Sequence, residues 1–199
     1  MRIGKFEIDL SSYLWVLPFI SGLIAVISII TPAGYLEGGY YYSSEPYIAL
    51  KFWMWGMWVN SAVESLYPIY YITSRTIFLK GTYFVSGIIS SIIILSASII
   101  VMMDALRVHR KKSSIENRRI FWSWCGILIW VATILWMIQI SFASYYDIMV
   151  ELGVWYGQSP PSTDLFTTPF WFYFKMDFGV IGPFITGGLL LFTRILTKR

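Results

Sequence analysis

Three long blocks of this chain contain no Asp, Glu, Lys or Arg: Leu10 to Leu36, Gly81 to Met103 and Ile120 to Tyr146. A shorter block, Phe178 to Thr193, is equally uncharged. A bilayer core about 30 Å thick takes roughly 20 residues of helix, and each backbone polar group left unpaired in hydrocarbon costs several kcal/mol. The blocks therefore predict four membrane spans in one membrane domain, residues 1–199, at about 12–32, 81–104, 120–146 and 174–195. The last is long enough only if it begins near Phe174. Only 13% of residues are charged, against about 25% in soluble chains. Arg2 and Lys5 supply a basic start, but Glu7 and Asp9 interrupt it, and the apolar stretch exceeds the roughly 7–15 residues of a signal core. The first span is expected to be a retained helix.

The placement of Lys and Arg sets the expected orientation. Arg107, Arg110, Lys111, Lys112, Arg118 and Arg119 crowd the connection at 105–119, while the other two connections hold only Lys51, Arg75, Lys80 and Lys175. The positive-inside rule puts the 105–119 connection and both termini in the cytoplasm of a multi-pass cell-membrane protein. The net charge of +4 is then a topology signal, and no nucleic-acid partner is expected. The six crowded cations are candidates for contact with anionic lipid, at about 1 kcal/mol each.

The outer connections, about 33–80 and 147–173, differ in character. The first contains Gly38-Gly39, Tyr40-Tyr41-Tyr42 and Pro46, then two runs rich in β-forming residues, Tyr47 to Asn60 and Leu66 to Phe78. These predict a small antiparallel sheet resting on the outer ends of the helices. In the second, Ser159-Pro160-Pro161-Ser162 is loop chemistry, and span three is expected to continue past the bilayer through Asp147 and Glu151. Phe170-Trp171-Phe172-Tyr173-Phe174 reads either as an interfacial aromatic belt or as a contact edge.

Groups able to do chemistry are scarce. Cys125 is the only cysteine and lies within a span, so no intramolecular disulfide can form. His109, the only histidine, reads as a solvated loop residue among basic neighbours. Asp104 sits at the inner end of span two, where Arg107 is its expected partner. Thr133 and Gln139 lie within span three, where interhelical hydrogen bonding is the expected role. The proton relays of pumps need a charge deep in a span, and none is present. Neither an enzyme nor a cofactor is expected.

Two short signatures add a family. Gly56-Met57-Trp58-Val59-Asn60-Ser61, in the first outer connection, resembles the claudin pattern of Gly-Leu-Trp followed closely by Cys. Asp177-Phe178-Gly179 is similar to that family's acidic-Phe-Gly start of the fourth helix. The resemblance to the claudin and peripheral-myelin-protein superfamily covers the layout of most of the chain and about a dozen residues in detail. It implies an α-helical, four-span left-handed bundle carrying a small antiparallel sheet built from the outer loops. It also implies that Gly56, Met57, Trp58, Asn60, Asp177, Phe178 and Gly179 are structural signature positions, with Trp58 anchoring the sheet at the membrane surface. Gly182, Gly187 and Gly188 offer a small surface on the last helix for close packing. The departure is at Ser61, where the family places the first cysteine of a strand-to-strand staple.

The resemblance implies lateral or cell–cell contact through the outer sheet, with a barrier or paracellular channel as its product. Trp53, Trp55, Phe170, Trp171 and Phe172 are candidate outer contact residues. The alternative is an accessory subunit of a larger membrane complex, such as a channel or a respiratory assembly. Expected partners are the bilayer and other membrane proteins, through self-association or within such a complex.

Overall fold

A computed structural model describes residues 13–39, 46–66, 69–78, 81–141 and 175–196. Three helices are long and apolar enough to cross a membrane: α2 (Gly81–His109), α3 (Ile115–Ser141) and α4 (Phe178–Leu196). The protein is membrane-embedded on this ground. The first helix, α1 (Val16–Ile30), has 15 residues, a length of roughly 22 Å at 1.5 Å per residue. That is shorter than the expected 12–32. Its C-terminus is set locally. Thr31 precedes Pro32 and is held extended at φ −84°, ψ 155°, because a residue before proline is disfavoured in the α region.

The helices pack in a ring, α1 on α2, α2 on α3, α3 on α4 and α4 back on α1. Hydrogen bonds cross the seams. Thr186 Oγ1 donates to the Ser21 carbonyl at 3.0 Å, and Trp130 Nε1 donates to the Phe184 carbonyl at 2.9 Å. Thr133, expected to bond between helices, instead donates to the Ile129 carbonyl of its own helix at 2.8 Å. A hydroxyl in a helix reaches the carbonyl four residues back without help from a neighbour. Two of the three expected small residues sit at close approaches. A Cβ on Gly182 would lie 2.6 Å from that of Ser28, and one on Gly187 would overlap the Trp130 indole. At Gly188 the nearest atom would be at an ordinary 3.9 Å.

Isoleucine and leucine cover the outward faces of the ring. Leu23 and Ile27 on α1, Ile92 on α2, Leu135 on α3 and Ile185 on α4 are all exposed. The helix interiors carry hydroxyls and small side chains, among them Ser28, Ser98, Thr133 and Thr186. Apolar side chains such as Ile94, Ile129 and Leu190 fill the rest of the interior. Both the inside and the outside of the ring are thus largely apolar, which suits a hydrocarbon surround in which close packing joins helices.

At one end lies a five-stranded antiparallel sheet: β1 (Gly34–Gly39), β2 (Pro46–Phe52), β3 (Met57–Leu66), β4 (Ile69–Phe78) and the two-residue β5 (Lys175–Met176). Their order is β4-β3-β2-β1-β5. The expected strand over Tyr47 to Asn60 is in fact two, folded back at Trp53–Gly56. At the opposite end, the expected 105–119 loop is much shorter. α2 continues to His109 because Ala105 and Val108 still have a core to face, and α3 begins at Ile115. The extension of α3 through Asp147 and Glu151, and the aromatics Phe170, Trp171 and Phe172, lie outside the described residues.

Candidate functional site

The sheet is fastened to the helix ring by the tip of its β2–β3 hairpin. Trp53 N–H bonds the Met57 carbonyl at 2.8 Å, and Gly56 N–H bonds the Trp53 carbonyl at 3.0 Å. That geometry needs a left-handed residue at the end of the turn, and Gly56 supplies it at φ 92°. The glycine of the first signature is thus a turn requirement.

The tip is turned into the ring. Phe52 and Met54 are fully buried. The Phe52 ring stacks on Trp136 of α3 with centroids 6.4 Å apart. A Cβ on Gly87 of α2 would overlap the Met54 carbonyl, so only glycine admits the tip here. Trp53 Nε1 donates to the Ile30 carbonyl at 2.7 Å, and Trp55 Nε1 to the Ile29 carbonyl at 3.1 Å. The last carbonyls of a helix have no partner within it, and these two indoles cap α1 from outside. Trp53 and Trp55 were expected in an outer contact surface. Both are half-buried, and their N–H groups meet the acceptors that α1 leaves open.

The second signature forms a clamp on the same helix end. Asp177 N–H bonds the Ala33 carbonyl at 2.9 Å, and Gly179 N–H bonds the Pro32 carbonyl at 2.8 Å. Asp177 Oδ1 accepts the Phe178 N–H at 2.7 Å, as suits a carboxylate at a helix N-terminus. A Cβ on Gly179 would lie 2.5 Å from the Pro32 carbonyl oxygen. Lys175 places its Nζ over the Tyr35 ring at 5.9 Å, across the β1–β5 pair.

Met57, Trp58 and Asn60 follow on β3, where Trp58 pairs with Phe52 and Asn60 with Leu50. The side chains of Trp58 and Asn60 lie outside the described residues. Ser61 is the register partner of Ser74 on β4. The anchors that sequence reasoning missed are Phe52, Met54, Gly87 and Trp136. A glycine inside an otherwise apolar helix was the available signal for Gly87.

At the turn end, a buried carboxylate joins α2 to α3. Asp104 Oδ2 accepts from Trp122 Nε1 at 2.9 Å, and Asp104 Oδ1 lies 3.4 Å from Arg118 Nε. Arg118 Nε also donates to Ser113 Oγ at 3.0 Å. The expected partner was Arg107, which is exposed. The tight turn brings α3 back alongside α2 and so presents Arg118 instead. His109 is the last residue of α2 rather than a loop residue; its ring packs on Trp15, centroids 4.2 Å apart.

The last turn of α2 and the bend after it hold Arg107, Arg110, Lys111 and Lys112, all exposed. Lys112 N–H bonds the Arg107 carbonyl and Lys111 N–H the Val108 carbonyl, each at 2.9 Å. This is the Schellman pattern, whose left-handed residue is usually glycine. Here it is Lys111, at φ 56°. Compared with models of protein families and with curated proteins, the chain finds no match.

Proposed function

We propose that this chain is a non-enzymatic, claudin-like integral membrane protein whose outer sheet joins it to further copies of itself, within one membrane or between cells. In this reading α1 is a fourth span, the turn end and both termini face the cytoplasm of the cell membrane, and the sheet lies outside. The observation that carries it is β4. This ten-residue strand is at the margin of the sheet, bonded to β3 alone among the described residues. A long open edge is a template for pairing with another strand.

Proline at Thr73 and, separately, at Ser74 tests this. In an antiparallel pair, neighbouring residues alternate between bonding inward and outward, so one variant leaves the β3 ladder intact and blocks the open edge. Imaging of expressing cells should show wild-type protein gathered at contacts and that variant dispersed. Evenly dispersed wild-type monomers would defeat the proposal.

The accessory-subunit reading is favoured by one observation. Trp124, within α3, is 65% exposed, a large indole suited to a partner helix. Gentle-detergent purification followed by mass spectrometry separates the readings. A stoichiometric larger partner supports accessory function, and self-association alone supports adhesion.

A further inference from the structure

The turn end of the molecule is strongly basic. Between residues 105 and 119 there are six cations and a single acid, Glu116, and the structure divides those cations into two sets. Arg118 is engaged by Asp104 and Ser113, and Arg119 is half-buried on α3. Arg107, Arg110, Lys111 and Lys112 are exposed and sit together on the last turn of α2 and the bend that follows. The Schellman bonds fix the backbone from Arg107 to Lys112, so these side chains leave a defined bend close to one another.

Two observations point beyond a generally basic surface. Lys111 occupies a left-handed position, φ 56°, that glycine would take without steric cost. Backbone strain of this kind clusters at functional sites, and here a charged side chain stands where glycine would be easier. The second is depth. Tyr13 and Trp15 lie at the start of α1, with Trp15 against His109. Tyr13 is 63% exposed. Exposed aromatic residues near the ends of spans mark the headgroup level of a bilayer. Arg107 lies just before His109 on the last turn of α2, and Arg110, Lys111 and Lys112 follow His109 along the chain.

We propose that Arg107, Arg110, Lys111 and Lys112 form a docking site for anionic phospholipid of the leaflet facing the turn, with polyphosphorylated headgroups preferred. Two guanidinium forks and two ammonium groups leaving one bend can address several phosphate oxygens at once, whereas a monovalent headgroup uses only part of the set. The site requires membrane embedding and is independent of the adhesion reading, since it lies at the end of the molecule opposite the sheet.

The test uses the full chain in mixed-lipid nanodiscs of phosphatidylcholine, phosphatidylserine and a bisphosphorylated phosphoinositide. Native mass spectrometry reads which lipid stays bound. Wild-type protein should retain the phosphoinositide above its share of the mixture. Each charge removed among Arg110→Gln, Lys111→Gln and Lys112→Gln should lower retention by about fivefold at low salt, the fold-change equivalent of about 1 kcal/mol. Lys51→Gln, on the sheet, should change nothing. Lys111→Gly keeps the turn while removing one charge, so it separates lost binding from lost folding. Retention unchanged in the triple variant would overturn the proposal. Equal capture of soluble inositol hexakisphosphate without a bilayer would assign the site to a free polyphosphate and overturn the lipid assignment.

Discussion

The Trp122 indole donates its N–H to the Asp104 carboxylate at 2.9 Å, tying α3 to α2 inside the bundle. Asp104 is only 4% exposed, so removing it leaves a buried N–H without its acceptor. Asp104→Ala should destabilise the protein by about 1–3 kcal/mol. Arg118→Ala should cost less, about 0–1 kcal/mol, because that side chain is partly solvated and its pairing is screened. Reversible unfolding in detergent measures both. Equal losses would mean that the ion pair, rather than the indole bond, holds the seam.

Gly179 and Gly188 lie on the same helix and predict opposite outcomes. Alanine at 179 would place its Cβ against the Pro32 carbonyl oxygen, at 2.5 Å, and overpacking of this kind costs about 1–3 kcal/mol. Alanine at 188 meets only Trp130 at 3.9 Å and should be neutral or stabilising by up to about 1 kcal/mol, the helix preference for alanine over glycine. Thermal melts of the two variants in one detergent provide the comparison.

Lys111→Gly removes a left-handed non-glycine residue, a conformation that costs about 1–2 kcal/mol. Glycine's added freedom in the unfolded chain returns roughly 0.5–1 kcal/mol of that. The net expectation is a gain of about 0.5 kcal/mol in uncharged detergent. A loss of stability would show that the lysine makes a contact outweighing its backbone strain.

Ser61 and Ser74 are directly paired across β3 and β4. Facing positions in an antiparallel pair have Cα separations of about 4.5–5.5 Å, within the range a disulfide accepts. The double variant Ser61→Cys, Ser74→Cys should therefore oxidise to an internal bridge worth about 2–4 kcal/mol. Ser61→Cys with Thr73→Cys, one residue out of register, should not. Melting of the wild type should be indifferent to reductant, while melting of the bridged variant falls on reduction. Non-reducing gels and melting curves give the answer.

Much of the helical layout was legible because charges are expensive in hydrocarbon, so the ends of uncharged blocks mark span ends. The sheet was only half legible. Trp53 and Trp55 carry the aromatic signature of a strand, which masks the turn they form; Gly56 belongs to a sequence motif that does not disclose its left-handed conformation. β1 holds Gly34, Gly38 and Gly39, residues with little strand preference. It exists because β2 lies beside it. Sequence offers Asp104 a partner one helical turn away, Arg107, because it shows near neighbours and not the turn that delivers Arg118. The buried tip at Phe52 and Met54 depends on Gly87, more than thirty positions downstream, and no local pattern links them.

The hairpin tip has a mechanical consequence. The sheet is joined to the helices at both margins, where β1 leaves α1 and β5 leads to α4 on one side and β4 ends two residues before α2 on the other, while the tip of β2–β3 enters the ring between them. Tension applied across the strands at β4 meets the β3–β4 bonds one after another, as in opening a zip. Tension along β4 loads all ten register pairs together. A sheet mounted in this way resists sliding more than peeling, so the direction of a pull decides whether the margin yields first or the load reaches the helices.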